Sequence, residues 1–551
     1  MSSIPALRPP AVDVLVVGAG PVGLALACEL ARNGVSCRII DKRPAAVTTS
    51  RAIAIFPRTL EVFQIMNMID PVLEAGHQLA GVALYNRSGQ IGHIGFDALP
   101  TRYRFALSLP QSETERLLIE HLGSFGKSVD RDRELVAFSQ SVDSIQAVIR
   151  DAGGAEEIFD ARWVVGCDGA HSNVRHLLGL PFEGAAYEET FVLADVKLDS
   201  ALDPVHAHLF LTETGLVGIF PFRNGGCRII ASTQPESKGG PAGDPKFAEV
   251  IDLVNSRTDL GIKICEPDWM SRFHISHRKV AEFRAGRGFL AGDAAHIHSP
   301  AGGQGMNTGI QDAFNLAWKL GLVVRGKSPD SLLDSYNEER EPVARMVLTL
   351  TDRLTRMGTM QNPLGRHVRD ALLSILTGMH PVEDRIAETM AEIGIHYRRS
   401  SIVFGNGGQA LRAGDRAPDC EFIVGTDRRL VRLYELLHEP VHHLLIFVDQ
   451  EPELEAGAFC EEIAQAFAGV IKAFVVTSAA HECSSTSLRD VDGVALFNCR
   501  AESGTIFLIR PDGYIGFRGD TGHREVLRAY LGKIFVDEKL PARKSPEPRL
   551  P

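Results

Sequence analysis

The chain has 551 residues, 44% hydrophobic and 23% charged, with a formal net charge of −11 at pH 7. That is the balance of a soluble globular protein of two or three domains; no like-charge block speaks for nucleic acid, and no apolar run reaches the ~18 residues of a membrane span. The nine cysteines are scattered and form no CxxC pair, and residues 1–11 have no signal-peptide character, so a reducing cytoplasm is expected.

Val12–Val17 is a β-branched run that leads straight into Gly18-Ala19-Gly20-Pro21-Val22-Gly23. A helical stretch from Leu24 to Asn33 stops at Gly34, and a second strand, Val35–Ile40, closes on Asp41 and Lys42. This is the full strand–GxGxxG–helix–strand–acid unit of a dinucleotide site. Gly18 allows the tight turn, Gly20 admits a pyrophosphate, and Gly23 lets helix and strand pack closely. Asp41 would accept from an adenosine ribose hydroxyl and repel a 2′-phosphate, which speaks against NADP here.

Further on, Leu107–Gln111 leads into a helix from Glu113 to Leu122. Trp163–Cys167 is a buried strand ending on Asp168, a residue that would also cap a helix from Ser172 to Leu178. From Thr190 to Val280 short alternating strands suggest an antiparallel sheet inserted into the α/β fold. His206 and His208 would share a face of it, and Phe220, Pro221 and Phe222 lie in the same run of strands. A metal reading of His206/His208 and His296/His298 fails, because no third ligand stands at a matching spacing.

A second glycine signature follows. Gly288–Ala291 is a short apolar strand ending on Gly292-Asp293, and Gly302, Gly303 and Gly305 form a loop before a helix. Met306, Ile310, Ala313, Ala317 and Leu320 fall on one face of that helix. Its N-terminus offers free N–H groups and a partial positive charge beside the loop. One extended ligand could use both signatures. FAD fits, with adenosine at Gly18–Asp41 and the flavin at Asp293–Asn307.

Residues 329–350 read as a helix with a turn at Pro342, and helical structure continues to about Arg399. A glycine-rich linker, Gly405–Gly408, precedes a strand (His443–Val448), a helix (Glu453–Phe467), a strand (Ile471–Val476), a hairpin around Pro511-Asp512-Gly513 and a helix (His523–Ile534). This order is thioredoxin-like. The place of a CxxC reads Val448-Asp449-Gln450-Glu451, so no dithiol chemistry is expected there. The domain is expected to be structural or to join subunits, and a cut after about Asn406 should spare flavin binding. The tail from Asp537 is expected to be disordered.

With these motifs in view, the sequence resembles the single-component FAD-dependent aromatic hydroxylases, nearest their phenol hydroxylase and pentachlorophenol monooxygenase branch. Three signatures carry the likeness: Gly18–Gly23 with Asp41, Cys167-Asp168-Gly169 through Arg175, and Gly292-Asp293-Ala294-Ala295-His296 continuing to Asn307. The resemblance implies a Rossmann-type FAD-binding domain (1–400) with an inserted antiparallel substrate domain (about 80–110 and 185–280). A linker (401–411), a thioredoxin-like domain (412–536) and the tail (537–551) complete the expected plan, and a homodimer is expected. It further implies hydroxylation of a phenolic ring with NADPH or NADH and O2 through a flavin hydroperoxide. Gly18, Gly20, Pro21, Val22, Gly23, Asp41, Lys42, Gln111, Asp168, Arg175, Asp293, Gly303, Gly305, Met306 and Asn307 would contact the cofactor. Arg51 and Arg58 are candidates for the same, with simple pairing as the alternative. Pro300 and His298, in the loop beside the flavin ring, are the candidate catalytic residues. The family's catalytic aspartate aligns with Ile53, so the resemblance supplies no base for the phenol; Ile53, His206, Phe220 and Phe222 are candidate substrate contacts. A polyketide-type or non-aromatic monooxygenase is the alternative enzyme, and a non-catalytic flavin-binding protein the alternative from another class.

Overall fold

Five parallel strands hold the nucleotide end of the molecule. Val12–Val17 lies between Glu156–Gly166 on one side and Cys37–Ile40 on the other, with Gly288–Leu290 and Val129–Asp130 beyond them. Strand order therefore reverses at Val12–Val17, and the crevice at the carboxyl ends of such strands is where ligands bind. The helix Pro21–Arg32 starts with proline in its first turn, where a missing N–H costs nothing. Val14–Val17 are buried, as a central parallel strand requires.

The computed structural model describes residues 11–48, 52–233, 243–258, 262–265, 267–299, 302–360, 362–405, 411–424, 428–448, 453–477, 487–490, 493, 495, 499 and 501–536. Arg51, Pro300, the glycines 407 and 408, Asp449–Glu451 and the tail from Asp537 lie outside them. Among the described residues no helix is long and apolar enough to cross a membrane. Met1–Ala317 with Tyr336–Ile395 form one unit, and Trp318–Ser335 with His396–Pro551 the other.

In the first unit a nine-stranded sheet roofs the nucleotide fold. Its long strand Glu183–Asp199 pairs antiparallel with Trp269–Lys279 and Gly226–Thr233, and Gly215–Pro221, His206–Thr212, Gly81–Asn86 and Gly89–Gly95 continue it. The second glycine signature passes between the two sheets: Gly288–Leu290 pairs with Glu156–Gly166, whereas His296–Ile297 pairs with Trp269–Lys279.

Pro342 does not turn the chain. A single helix runs Asp334–Gly358 with Pro342 inside it. An interior proline costs about 3 kcal/mol, but this helix is tied down on both sides of it. The Tyr336 hydroxyl donates to the Leu290 carbonyl, Arg340 donates to Asp312, and the Thr355 hydroxyl reaches Ser299.

The second unit is built on a seven-stranded sheet. His442–Val448 pairs parallel with Ile471–Thr477 across the helix Glu453–Ala466, and antiparallel with Thr505–Ile509, which forms a hairpin with Ile515–Asp520. The start of the expected linker is part of this unit: the Phe404 N–H donates to Gly516 and the Phe404 carbonyl accepts from Arg518.

Candidate functional site

At the first signature, the glycines do what the motif demands. Gly18 has φ +101°, and a Cβ there would stand 2.4 Å from the Cys167 carbonyl oxygen; one at Gly23 would stand 1.9 Å from that of Gly18. Gly20 faces open space at the N-cap of Pro21–Arg32, where the unmet N–H groups of the first turn point outward. Asp41 accepts from the Ala19 N–H at 2.7 Å and from the backbone and guanidinium of Arg43. Burial pushes its carboxyl up, but Arg43 and these N–H groups outweigh that and hold it below the usual carboxylate range. It is thus an ionised acceptor at the end of its strand, beside the Gly18–Gly23 turn. Lys42 is exposed, and Arg43, which no motif marks, pairs with Asp41, with Arg131 at 3.9 Å beyond it.

Gln111 opens the helix Gln111–Ser124 and donates to Glu115 at 2.9 Å. Burial pushes the Glu115 carboxyl up. Arg58 is buried in an ion pair with Glu61 at 2.9 Å, so the pairing alternative describes it, inside the fold and not at a surface.

The middle signature braces the third. Asp168 accepts from the N–H groups of Asn173 and Val174 at the start of the helix Asn173–Leu177, which Ser172 caps, while its Oδ1 is buried with no partner among the described residues. Burial pushes its carboxyl up. Arg175 donates to the carbonyls of Ala294 and Ala170 at 3.0 and 2.9 Å, so it positions the loop that carries Asp293. Asp293 itself is exposed in the turn Gly292–Ala294, at the end of its strand.

The two glycine signatures, about 270 residues apart in the sequence, are in contact. Val22 packs against both Gly292 and Gly309, where a Cβ would come within 2.8 and 2.6 Å of it. The turn after Gly20 and the Gly305–Val324 helix are therefore neighbours, as one extended dinucleotide would require. Asn307 does not point its amide at a ligand: it accepts from the Phe56 N–H and donates to the carbonyls of Ala54 and Gly303. Its side chain is thus engaged within the fold. These features fit FAD: an open cradle at Gly20, an ionised acid beside it, an unmet Asp168 oxygen and a helix N-terminus at the far end.

Behind that helix lies a buried polar network that sequence motifs do not show. Asp312 takes His296 Nε2 at 2.7 Å and the Gly292 N–H at 3.1 Å on one oxygen, and Arg340 Nε at 2.6 Å on the other. Glu392 accepts from Thr308 at 3.0 Å and from Gln311; burial pushes its carboxyl up to about 7. His298 donates from Nδ1 to the Ser299 carbonyl, which leaves Nε2 as an acceptor, shielded from solvent and without a partner among the described residues. Burial lowers its pKa to about 4, so the ring is neutral. It packs against Gly305, where a Cβ would stand 3.3 Å from its Nε2.

The roof sheet separates the candidate substrate contacts. Phe220 and Asp195 lie opposite Arg228, on one face with Leu193 and Ile230. Arg228 binds Asp195 through two bonds of 2.7 Å and reaches the Ala52 carbonyl at 3.0 Å, so this face looks onto the loop that holds buried Ile53. The Phe222 ring centroid is 5.9 Å from the guanidinium. His206 and His208 alternate onto the opposite face with Phe210, Val217 and Ile219, under Val250 and Val254. His206 pairs with Asp203 at 2.8 Å. It therefore shares no surface with Phe220: alternation groups residues on a face but does not say which face looks inward.

The FAD binding domain family matches residues 11–351. The chain is 36% identical to 6-methylpretetramide 4-monooxygenase of Streptomyces rimosus over 96% of its length and 95% of the relative's. It is 31% identical to pentachlorophenol 4-monooxygenase of Sphingobium chlorophenolicum over 95% of its length and 96% of that protein's. Among solved structures, anhydrotetracycline hydroxylase from Streptomyces rimosus superposes with a TM-score of 0.77 at 27% identity, covering 95% of this chain and 99% of the other.

Proposed function

Because the chain belongs to the FAD-binding aromatic and polyketide monooxygenases, we propose that it hydroxylates a phenolic ring of a polycyclic, polyketide-type substrate, with NADPH or NADH as reductant and O2 as oxidant. The observation that carries this reading is the contact of the two glycine signatures through Val22, which brings both within reach of one extended cofactor. The polycyclic preference rests on the end-to-end likeness to 6-methylpretetramide 4-monooxygenase. A simple phenol is the second reading, favoured by the likeness to pentachlorophenol 4-monooxygenase.

Bound FAD supplies the oxygen activation and transfer. The chain supplies the rest. Ionised Asp41 and the open turn at Gly20 hold the adenosine diphosphate half. The first turn of Gly305–Val324 favours negative charge at the flavin end. Phe220, Phe222 and Ile53 offer an apolar, water-poor surface to the ring. With Ile53 in place of an acid, Arg228, which reaches the Ala52 carbonyl, brings a positive charge to that loop and favours the ionised phenol. His298 is neutral with a bare Nε2, and acts as an acceptor beneath the loop.

The test is oxidation of NADPH and NADH by the purified yellow protein, alone and with polycyclic or simple phenols, with mass analysis of the product. Slow oxidation alone and a rise of about tenfold with the right ring, a change of ~1.4 kcal/mol in barrier, are expected, together with a product that has gained one oxygen atom. Equally fast oxidation without any aromatic ligand, or no oxygenated product from either class, would overturn the reading.

A further inference from the structure

The second unit holds a pair of thiols that no motif announces. Cys420 and Cys499 are 79 positions apart, yet their sulfurs are 3.5 Å from each other. Cys420 directly precedes the strand Glu421–Val424, and its carbonyl accepts from the Leu433 N–H, so its backbone is fixed in the sheet. Cys499 stands just ahead of Thr505–Ile509. Both are buried, with relative exposures of 1% and 6%. Closing from this separation to the ~2.0 Å of a sulfur–sulfur bond takes a small rotation of two short side chains. The lack of a CxxC rules out the thioredoxin arrangement, but not a dithiol assembled from distant parts of the chain.

We propose that Cys420 and Cys499 form a peroxide-responsive dithiol, which hydrogen peroxide converts to an intramolecular disulfide within the second unit. Cys499, the more exposed of the two, reacts first. Its thiolate attacks one peroxide oxygen, giving a sulfenic acid and releasing hydroxide. The Cys420 sulfur then displaces the sulfenic oxygen as water and loses its proton. In sum two thiols and one hydrogen peroxide give one disulfide and two waters; the sulfurs lose two electrons and the peroxide gains them. The hydrogen bond to Cys499 and burial both push the Cys420 thiol up, with Asp419 and Asp490 adding to the effect. The pair is therefore slow and acts as a staple, not as a rapid exchanger.

The experiment is a peptide map of the folded full-length protein after treatment with hydrogen peroxide and alkylation of the remaining thiols. Exposed Cys265 serves as the internal standard of oxidation. The expected result is a cross-linked peptide joining Cys420 to Cys499 that dithiothreitol releases. Cys420→Ser and Cys499→Ser should each abolish it. Because the bond closes a long loop, the melting temperature should rise by about 5 °C or more, and Cys420→Ser should not show the rise. The proposal is overturned if Cys420 and Cys499 are both recovered alkylated when Cys265 is oxidised. It is equally overturned if the cross-link forms only above the melting temperature. The wild-type map decides even if a serine variant fails to fold.

Discussion

His296 Nε2 stands 2.7 Å from Oδ2 of Asp312, joining the end of the second glycine signature to the helix that follows it. The other oxygen of Asp312 holds Arg340, and both members of that pair are fully buried. Removing the acid would leave a buried guanidinium without its counter-charge. Asp312→Asn should therefore cost about 3–5 kcal/mol and loosen the strand-to-helix turn at Gly292. A urea titration of the FAD-loaded protein measures this, and an unchanged midpoint at pH 7 would sink it. Burial pushes the Asp312 carboxyl up, but Arg340 and His296 outweigh this and hold it low. With the folded value below the unfolded value of about 3.9, the contribution is whole above that pH and is lost only as pH falls through the folded value.

Glu392 has the opposite sign. Its carboxyl is raised to about 7 by burial, with Thr308, Arg340 and Gln311 pulling the other way. The stability from keeping it neutral is full below an unfolded pKa of about 4.3 and is lost as pH rises to about 7, a loss of as much as about 3 kcal/mol. Glu392→Gln should match the wild type near pH 4.5 and exceed it at pH 8. Thermal melts across that range are the check; a variant less stable than wild type at pH 8 would refute the assignment.

What the sequence made legible follows the range of the physics involved. Gly18, Gly23 and Asp41 could be read directly because a tight turn, a close helix–strand approach and a carboxylate at a strand end are local demands on the backbone. The run of short strands between Thr190 and Val280 was legible for the same reason, and His206–Thr212 and Gly226–Thr233 are two of them. Asp312, Arg340 and Glu392 were not, since each is defined by partners 16 to 84 positions away. Asn307 fits its motif, but its amide braces the Ala54–Phe56 loop, a use that spacing does not reveal. Pro342 misled because long-range anchors on both sides of it outweigh its local preference.

The acid of the first signature makes a direct prediction. Asp41→Ala removes the acceptor for the Ala19 N–H and strands Arg43. A lost hydrogen bond to a charged group is worth about 1.5–3 kcal/mol, so FAD should dissociate roughly ten- to a hundredfold more readily. Lys42→Ala, at an exposed side chain, should change little. Flavin retained on a desalting column, identified after heat release, reads both. Release of FMN in place of FAD would contradict the use of this site for the adenosine half.

Truncation bears on the helix that follows the second glycine signature. Read from sequence alone, a cut after Asn406 leaves flavin binding intact. Yet Gly305–Val324 runs past Ala317, and Trp318–Ser335 belong with the second unit. Trp318 is 2% exposed, its Nε1 donates to Asp512 at 3.1 Å, and the Arg510 guanidinium lies 5.1 Å from its ring centroid. The Val536 N–H reaches the Lys327 carbonyl in the same unit. Ending the chain at Ile395 would expose the tryptophan, leave its N–H without Asp512 and fray the last turns of the helix that follows the second glycine signature. Burial of a side chain of this size is worth about 3 kcal/mol or more. The truncated protein is therefore expected to aggregate or to lose FAD. Trp318→Phe in the full chain, which keeps most of the apolar contact and deletes only the donor, should retain FAD with a small loss of stability. Size-exclusion profiles and flavin content of the two proteins decide the matter. A monodisperse, yellow chain ending at Ile395 would show that the second unit is dispensable, as its lack of a CxxC had implied.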